Sequence, residues 1–228
     1  MIAWPGTAVA GNYVLTVIYE GKTATIDYVV YDAATIVEMT KNTMCQKQEM
    51  QIITETNIGN DFTIVNRNCE YDYDSSEGDG STIRQGWTQL NGEEVYEYTY
   101  HIQNDVVTVK NKNICDADGH SVGIISYVTE LLDYNSSWNV SLSKNSDGTY
   151  QLTYVQVYED STVKTVYQDK YTIKNGLVIS STVSEASVYT NESRDPYSWE
   201  VKYTYKYDNI PEIPEIPTNV EWDVTYYD

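Results

Sequence analysis

The chain reads as a mainly β protein: a curved antiparallel sheet, or open half-barrel meander, with one central helix packed on its concave face. Three observations on its 228 residues predict this class. Apolar and polar residues alternate with period two in most segments, the signature of half-buried strands. Turn dipeptides such as Asn91-Gly92, Asp147-Gly148 and Asn175-Gly176 separate those segments at short intervals, which implies consecutive antiparallel pairing. One stretch alone, residues 121–134, shows convincing helical spacing.

Taken in order, "YVLTVIYE" (Tyr13 to Glu20) and "ATIDYVVY" flank a turn at Gly21-Lys22 and predict a hairpin. "TIVEMT", "EMQIITET" and "FTIV" read as three further strands. The pattern then lapses in "CEYDYDSSEGDGS", read as an acidic loop rich in Gly and Ser. "WTQL" and "EVYEYTYHI" flank Asn91-Gly92, a strong two-residue hairpin signal, and "VVTVK" follows. In "SVGIISYVTELLDY", Ser121 can cap a helix whose apolar face carries Val122, Ile125, Val128 and Leu132. Beyond it, "WNVSLS", "TYQLTYVQVY", "TVKTVYQDKYTIK", "LVISSTVSEASVY" and "YSWEVKYTYKY" are strands joined by short turns. "IPEIPEIP" cannot donate ladder hydrogen bonds at its prolines, so it is an edge segment or an extended exit. "VEWDVTYY" alternates again, as a last edge strand would. The expected division is a lead segment 1–11, a single antiparallel β domain 12–210 with a helix at 121–134, and a Pro-rich exit with an edge strand at 211–228.

Composition narrows the function. With 41% hydrophobic residues a substantial core can form. Lys and Arg number 14 against 34 Asp and Glu, a net charge of −20. Nucleic acid and anionic membrane surfaces both require a basic footprint, so both are excluded as partners. Cys45, Cys69 and Cys115 form no CxxC pair, which speaks against zinc. Cys45 and Cys69 fall in neighbouring expected strands and could pair in an oxidising compartment; three free, buried cysteines fit equally well. No apolar run is long enough to span a membrane as a helix. The expected location is extracellular or at the cell surface, with the export signal or anchor lying outside this sequence.

The 23 tyrosines and single phenylalanine suggest walls that stay partly wet, because a phenol must find water or a partner. From Tyr197 to Tyr207 every odd residue is large and mostly aromatic, and every even residue from Ser198 to Asp208 is polar. Such a wall can simply pack under the helix. It can also line a ligand groove, and the candidate lining is Tyr96, Tyr98, Tyr100, Tyr150, Tyr154, Tyr203 and Tyr205, with Ile125, Val128 and Leu132 from the helix. Asp72, Asp74, Glu77 and Asp79 could collect calcium, but they lack the spacing and distal bidentate Glu of an EF-hand, so a solvated loop is the better reading. No nucleophile, P-loop, zinc-protease or dinucleotide motif occurs. The expectation is therefore a binding module for a hydrophobic or amphiphilic ligand, without enzymatic activity, metal or cofactor. The alternative is a structural surface, adhesion or filament subunit that assembles by strand addition through 218–228.

The order of features, from "GNYVLTV" through "WTQLNGEEVYEY", a single helix and "YTIKNGLVISSTVS" to a Tyr-alternating strand ending in "IPEIP", resembles the LolA/LppX-like group of bacterial exported lipoproteins and lipoprotein carriers. The resemblance spans roughly Asn12 to Pro217 and lies in the pattern, with no short signature. It implies an unclosed antiparallel barrel curled around helices and a lipid-like cargo.

Overall fold

The computed structural model describes residues 10–59, 61–67, 70–76, 81–90, 94–116, 127–128, 131–133, 137–190, 194–212 and 221–226. The chain begins with a hairpin, β1 (Gly11–Tyr19) and β2 (Lys22–Val30), followed by the helix α1 (Ala33–Met44). The meander β3 (Glu49–Thr56), β4 (Phe62–Arg67), β5 (Glu70–Ser76), β6 (Thr82–Leu90), β7 (Glu94–Gln103) and β8 (Val106–Asp116) comes next. A second meander holds β9 (Asn139–Lys144), β10 (Tyr150–Glu159), β11 (Val163–Lys174), β12 (Leu177–Tyr189) and β13 (Tyr197–Lys206), before the short β14 (Asp223–Tyr226).

Twelve of these strands form one sheet in the order β14-β8-β7-β6-β5-β4-β3-β13-β12-β11-β10-β9. The two meanders meet where β13 pairs antiparallel with β3, Tyr205 opposite Ile52. The sheet does not close, since β14 and β9 end it without pairing with each other. β14 is an edge strand, as its alternation suggested, and it runs parallel to β8. β1 and β2 form their own two-stranded sheet.

The main buried cluster lies on one face of the sheet, with Val65, Tyr98 and Tyr100 buried apart from it. Register carries Met50 and Ile52 of β3, Tyr205 of β13, Val178 of β12, Tyr171 and Ile173 of β11, and Leu152 and Tyr154 of β10 to the same side. There they pack with Ile36 and Met44 of α1 and with Val128 and Leu132. Fully burying an aliphatic side chain of this size is worth ~1.5–3 kcal/mol, so this layer is the main source of stability.

Residues 35–40 are helical rather than a strand. Asp32 caps α1 by accepting from the Thr35 amide at 2.8 Å, and Ile36, Thr40 and Met44 recur every four residues to fall on one buried stripe. "TIVEMT" is too short to separate the two periods, and the cap lies outside it. Cys45 is the C-cap of α1 instead of a strand residue, and it is free. The "acidic loop" is also corrected over Glu70–Ser76. It is β5, because Glu70, Tyr71, Asp72, Tyr73 and Asp74 alternate with period two whatever their charge. The first turn sits one residue earlier than expected, at Glu20-Gly21. Most of 121–134 lies outside the described residues, with Tyr127, Val128 and Leu131 helical.

Candidate functional site

The tyrosines divide between two faces. In β13, Tyr203 and Tyr205 share the core face with Tyr150 and Tyr154 of β10. From β3 through β4, β5 and β6 to β7 the pairs Gln51–Val65, Val65–Asp72, Asp72–Gly86 and Gly86–Tyr98 follow without a break. Gln51 is one residue away from Ile52, so Tyr98 and Tyr100 point to the face opposite Tyr205. The single groove expected from all seven tyrosines does not exist. Alternation fixes which residues of one strand share a side; it does not fix which side that strand turns toward the helix.

On the second face Tyr98 stacks on Tyr100 at 5.9 Å, and Trp222 meets Tyr100 edge-on at 6.0 Å. Arg84 pairs there with Asp74 at 3.1 Å. Asp74 is thus tied into the sheet, while Glu77 and Asp79 of the calcium candidate lie outside the described residues. Tyr96 occupies the register position opposite Thr88. Ile125 lies outside the described residues.

On the core face tyrosine is used because its hydroxyl finds partners inside. Tyr205 Oη lies 3.0 Å from Ser181 Oγ and 3.2 Å from Tyr127 Oη. Tyr207 Oη donates to the Val178 carbonyl at 2.7 Å. Burial pushes the Tyr205 phenol up to about 12, its bonds to Ser181 and Tyr127 partly offsetting that shift. Burial likewise raises Tyr127 and Tyr207 far above the ordinary phenol range, each assisted by Tyr205 nearby. Tyr203 packs edge-on to Phe62 at 6.5 Å, and Val128 is wholly enclosed. These three, Tyr203, Tyr205 and Val128, are packing residues.

An open groove of ≈370 Å³ remains at the β9 end of this face, lined by Ala33, Ala34 and Val37 of α1, Leu132, Asp133, Val140 of β9 and Tyr154 of β10. Five of these seven are aliphatic. Its polar lining is Tyr154 and the Asp133 carboxylate, whose Oδ1 is paired with Lys41 Nζ at 2.8 Å. Burial first, then the Asp133 charge, raises the Tyr154 phenol to about 12, so it is a neutral hydroxyl throughout the physiological range. Tyr154 also packs edge-on to Tyr171 at 6.1 Å, which holds its ring as a fixed wall. Beside the groove Tyr31 meets Tyr150 at 6.2 Å, with Lys144 Nζ 5.4 Å from the centre of the Tyr150 ring.

Sequence reasoning found Tyr154 and Leu132 of this lining and missed Ala33, Ala34, Val37, Asp133 and Val140. The overlooked signal was Asp32 followed by the four-residue recurrence of Ile36, Thr40 and Met44, which turns Ala33 and Val37 onto an adjoining stripe of α1. A second hollow of ≈430 Å³ lies along β11, β12 and β13, lined by Asn57, Val166, Gln168, Ser184, Glu185, Ala186, Ser198, Trp199 and Glu200. Its lining is mostly polar and includes no residue of α1. Among the described residues, no group of three or more His, Cys, Asp or Glu is placed to hold a metal ion.

No family model, no curated protein and no solved structure matches the chain.

Proposed function

We propose that the protein is a binding module, acting outside the cell or at its surface, that holds an apolar or amphiphilic ligand in the groove between α1 and the β9–β10 edge. The observation that carries this reading is the lining itself: aliphatic side chains on most of the wall, with the Tyr154 phenol and an Asp133 carboxylate that is paired with Lys41. Ligand sites of this kind are largely apolar, with a few placed polar groups that orient the guest. The volume suits one short alkyl chain or one ring system. The polar end of an amphiphile would meet Tyr154 and Asp133, where a hydroxyl or amine can donate to the carboxylate. The reading invokes burial and hydrogen bonding, with no covalent step. The net charge of −20 supports a soluble protein that avoids anionic membrane surfaces, and the resemblance to lipoprotein carriers points to the same ligand class.

The test is a titration with a fluorescent apolar probe, N-phenyl-1-naphthylamine, followed by competition with alkyl amines, alkyl alcohols and fatty acids. Binding in the micromolar range is expected, weakened roughly tenfold or more, ~1.4 kcal/mol, when Val37→Trp fills the groove. Absence of probe binding, or equal binding by the Val37→Trp protein, would refute the groove.

A further inference from the structure

The β1–β2 hairpin has no place in the groove reading, and its strands carry few of the features that guard a sheet edge. Its nine register pairs run without a bulge from Gly11–Val30 to Tyr19–Lys22. β1 has no charged residue and no proline, and β2 has one Lys and one Asp. Val14 is 62% exposed, Ile18 71% and Ile26 57%. Natural sheets guard such edges with charge, proline, bulges or a covering element. A ribbon of two strands is only marginally stable by itself and is secured by a third strand or a packed layer. Among the described residues neither hairpin strand has another strand beside it.

The large sheet supplies the complement. Its terminal strand β9, "NVSLSK", has no strand on its outer side among the described residues, carries no carboxylate and includes Lys144. The opposite edge, β14, starts with Asp223 and is only four residues long. In a chain of net charge −20, two copies repel almost everywhere. Approach through a neutral β1 and a β9 that carries a lysine avoids that repulsion and completes two open hydrogen-bond ladders at once. The geometry points to a second copy of this chain as the partner: β1 of one copy adds to β9 of the next, extending the sheet across the contact. This contact is heterologous, so it either propagates head to tail or closes reciprocally. It places the assembly surface at the N-terminal hairpin and β9 rather than at β14, the shorter edge that begins with Asp223.

Sedimentation velocity on the full chain, from low to high micromolar, tests this directly. Concentration-dependent association is expected. Val14→Glu with Ile18→Glu on β1, or Ser141→Glu with Ser143→Glu on β9, should each weaken it roughly tenfold or more, because carboxylates on an edge strand must be desolvated against an uncharged or apolar neighbour when another strand is added. The decisive sample is an equimolar mixture of the two double variants. Each keeps the half that the other has lost, so the mixture should form one-to-one pairs that grow no further, and unfolded chains could not produce that result. A wild-type protein that stays monomeric over the whole range, or a mixture that stays monomeric, overturns the proposal.

Discussion

Two hairpins in this molecule are built from the same local instructions and meet opposite fates. β1–β2 and β11–β12 each turn through two residues of positive φ, Glu20-Gly21 and Asn175-Gly176, the pattern whose twist matches that of antiparallel strands. Both have long alternating strands. In β11–β12 the alternate side chains Tyr171, Ile173 and Val178 are nearly inaccessible, because β10 and β13 flank the pair and α1 lies over it. In β1–β2 Val14, Ile18 and Ile26 face solvent, and Tyr13, Leu15 and Val17 are only half-buried. Local sequence makes a hairpin; the neighbours it acquires decide whether that hairpin becomes core or surface.

Truncation should separate the two most strongly. Ile173→Ala is expected to cost ~2–5 kcal/mol through lost burial and a cavity. Ile18→Ala should fall within ~0.5 kcal/mol of wild type, since it removes only exposed surface. Urea unfolding of both variants measures the contrast, and comparable losses would mean that the hairpin is packed in solution.

The turn glycines come next. A Cβ at Gly176 would lie 2.6 Å from Thr43 Oγ1 of α1, whereas one at Gly21 meets nothing within 4 Å. Gly21→Ala should therefore cost ~1 kcal/mol for the left-handed backbone alone, and Gly176→Ala ~2 kcal/mol or more. Thr43→Ala removes Oγ1 and should recover part of the Gly176→Ala loss in a double-mutant cycle. Equal penalties at the two glycines would show that α1 does not press on the second turn.

Alkaline pH probes the covered face. Tyr205 titrates at about 12 when folded and near 10 when unfolded. Its protonated form is favoured by the fold, so its contribution is complete below pH 10 and is lost as pH rises toward 12. Between those values this residue alone should lower stability by ~1.4 kcal/mol per pH unit. Tyr127 and Tyr207, raised for the same reason, steepen the fall. Absorbance of tyrosinate should show a late group of phenols that ionise only as the protein unfolds. Complete titration of all 23 tyrosines near pH 10 without loss of structure would contradict the buried network.

A smaller contrast is expected from removing hydroxyls: Tyr205→Phe should cost about 1 kcal/mol for the lost bonds to Ser181 and Tyr127. Tyr19→Phe, at a position 72% exposed in the hairpin, should be silent. Thermal unfolding resolves the pair.

Much of the architecture was legible in the chain because strand pairing here is mostly between neighbours in sequence. Period-two alternation and the Asn175-Gly176 turn are local properties, and they sufficed for an open antiparallel sheet. The helix α1 escaped notice because its apolar spacing over "TIVEMT" also fits a strand, and only a cap three residues upstream distinguishes them. The candidate groove was legible to the extent of Tyr154 and Leu132. Its other wall needed α1 to be placed beside β9, a contact between residues about a hundred positions apart. The faces of the tyrosine strands were beyond reach for the same reason. Orientation is handed from strand to strand through the register, so the side on which Tyr98 falls depends on every pairing between β3 and β7. By itself the sequence determined which residues alternate and where the chain turns back. Which alternating face is dry, which tyrosines meet, and which hairpin is left bare were decided only when the two meanders joined at β3 and β13, because burial belongs to the assembled layers and to no single strand.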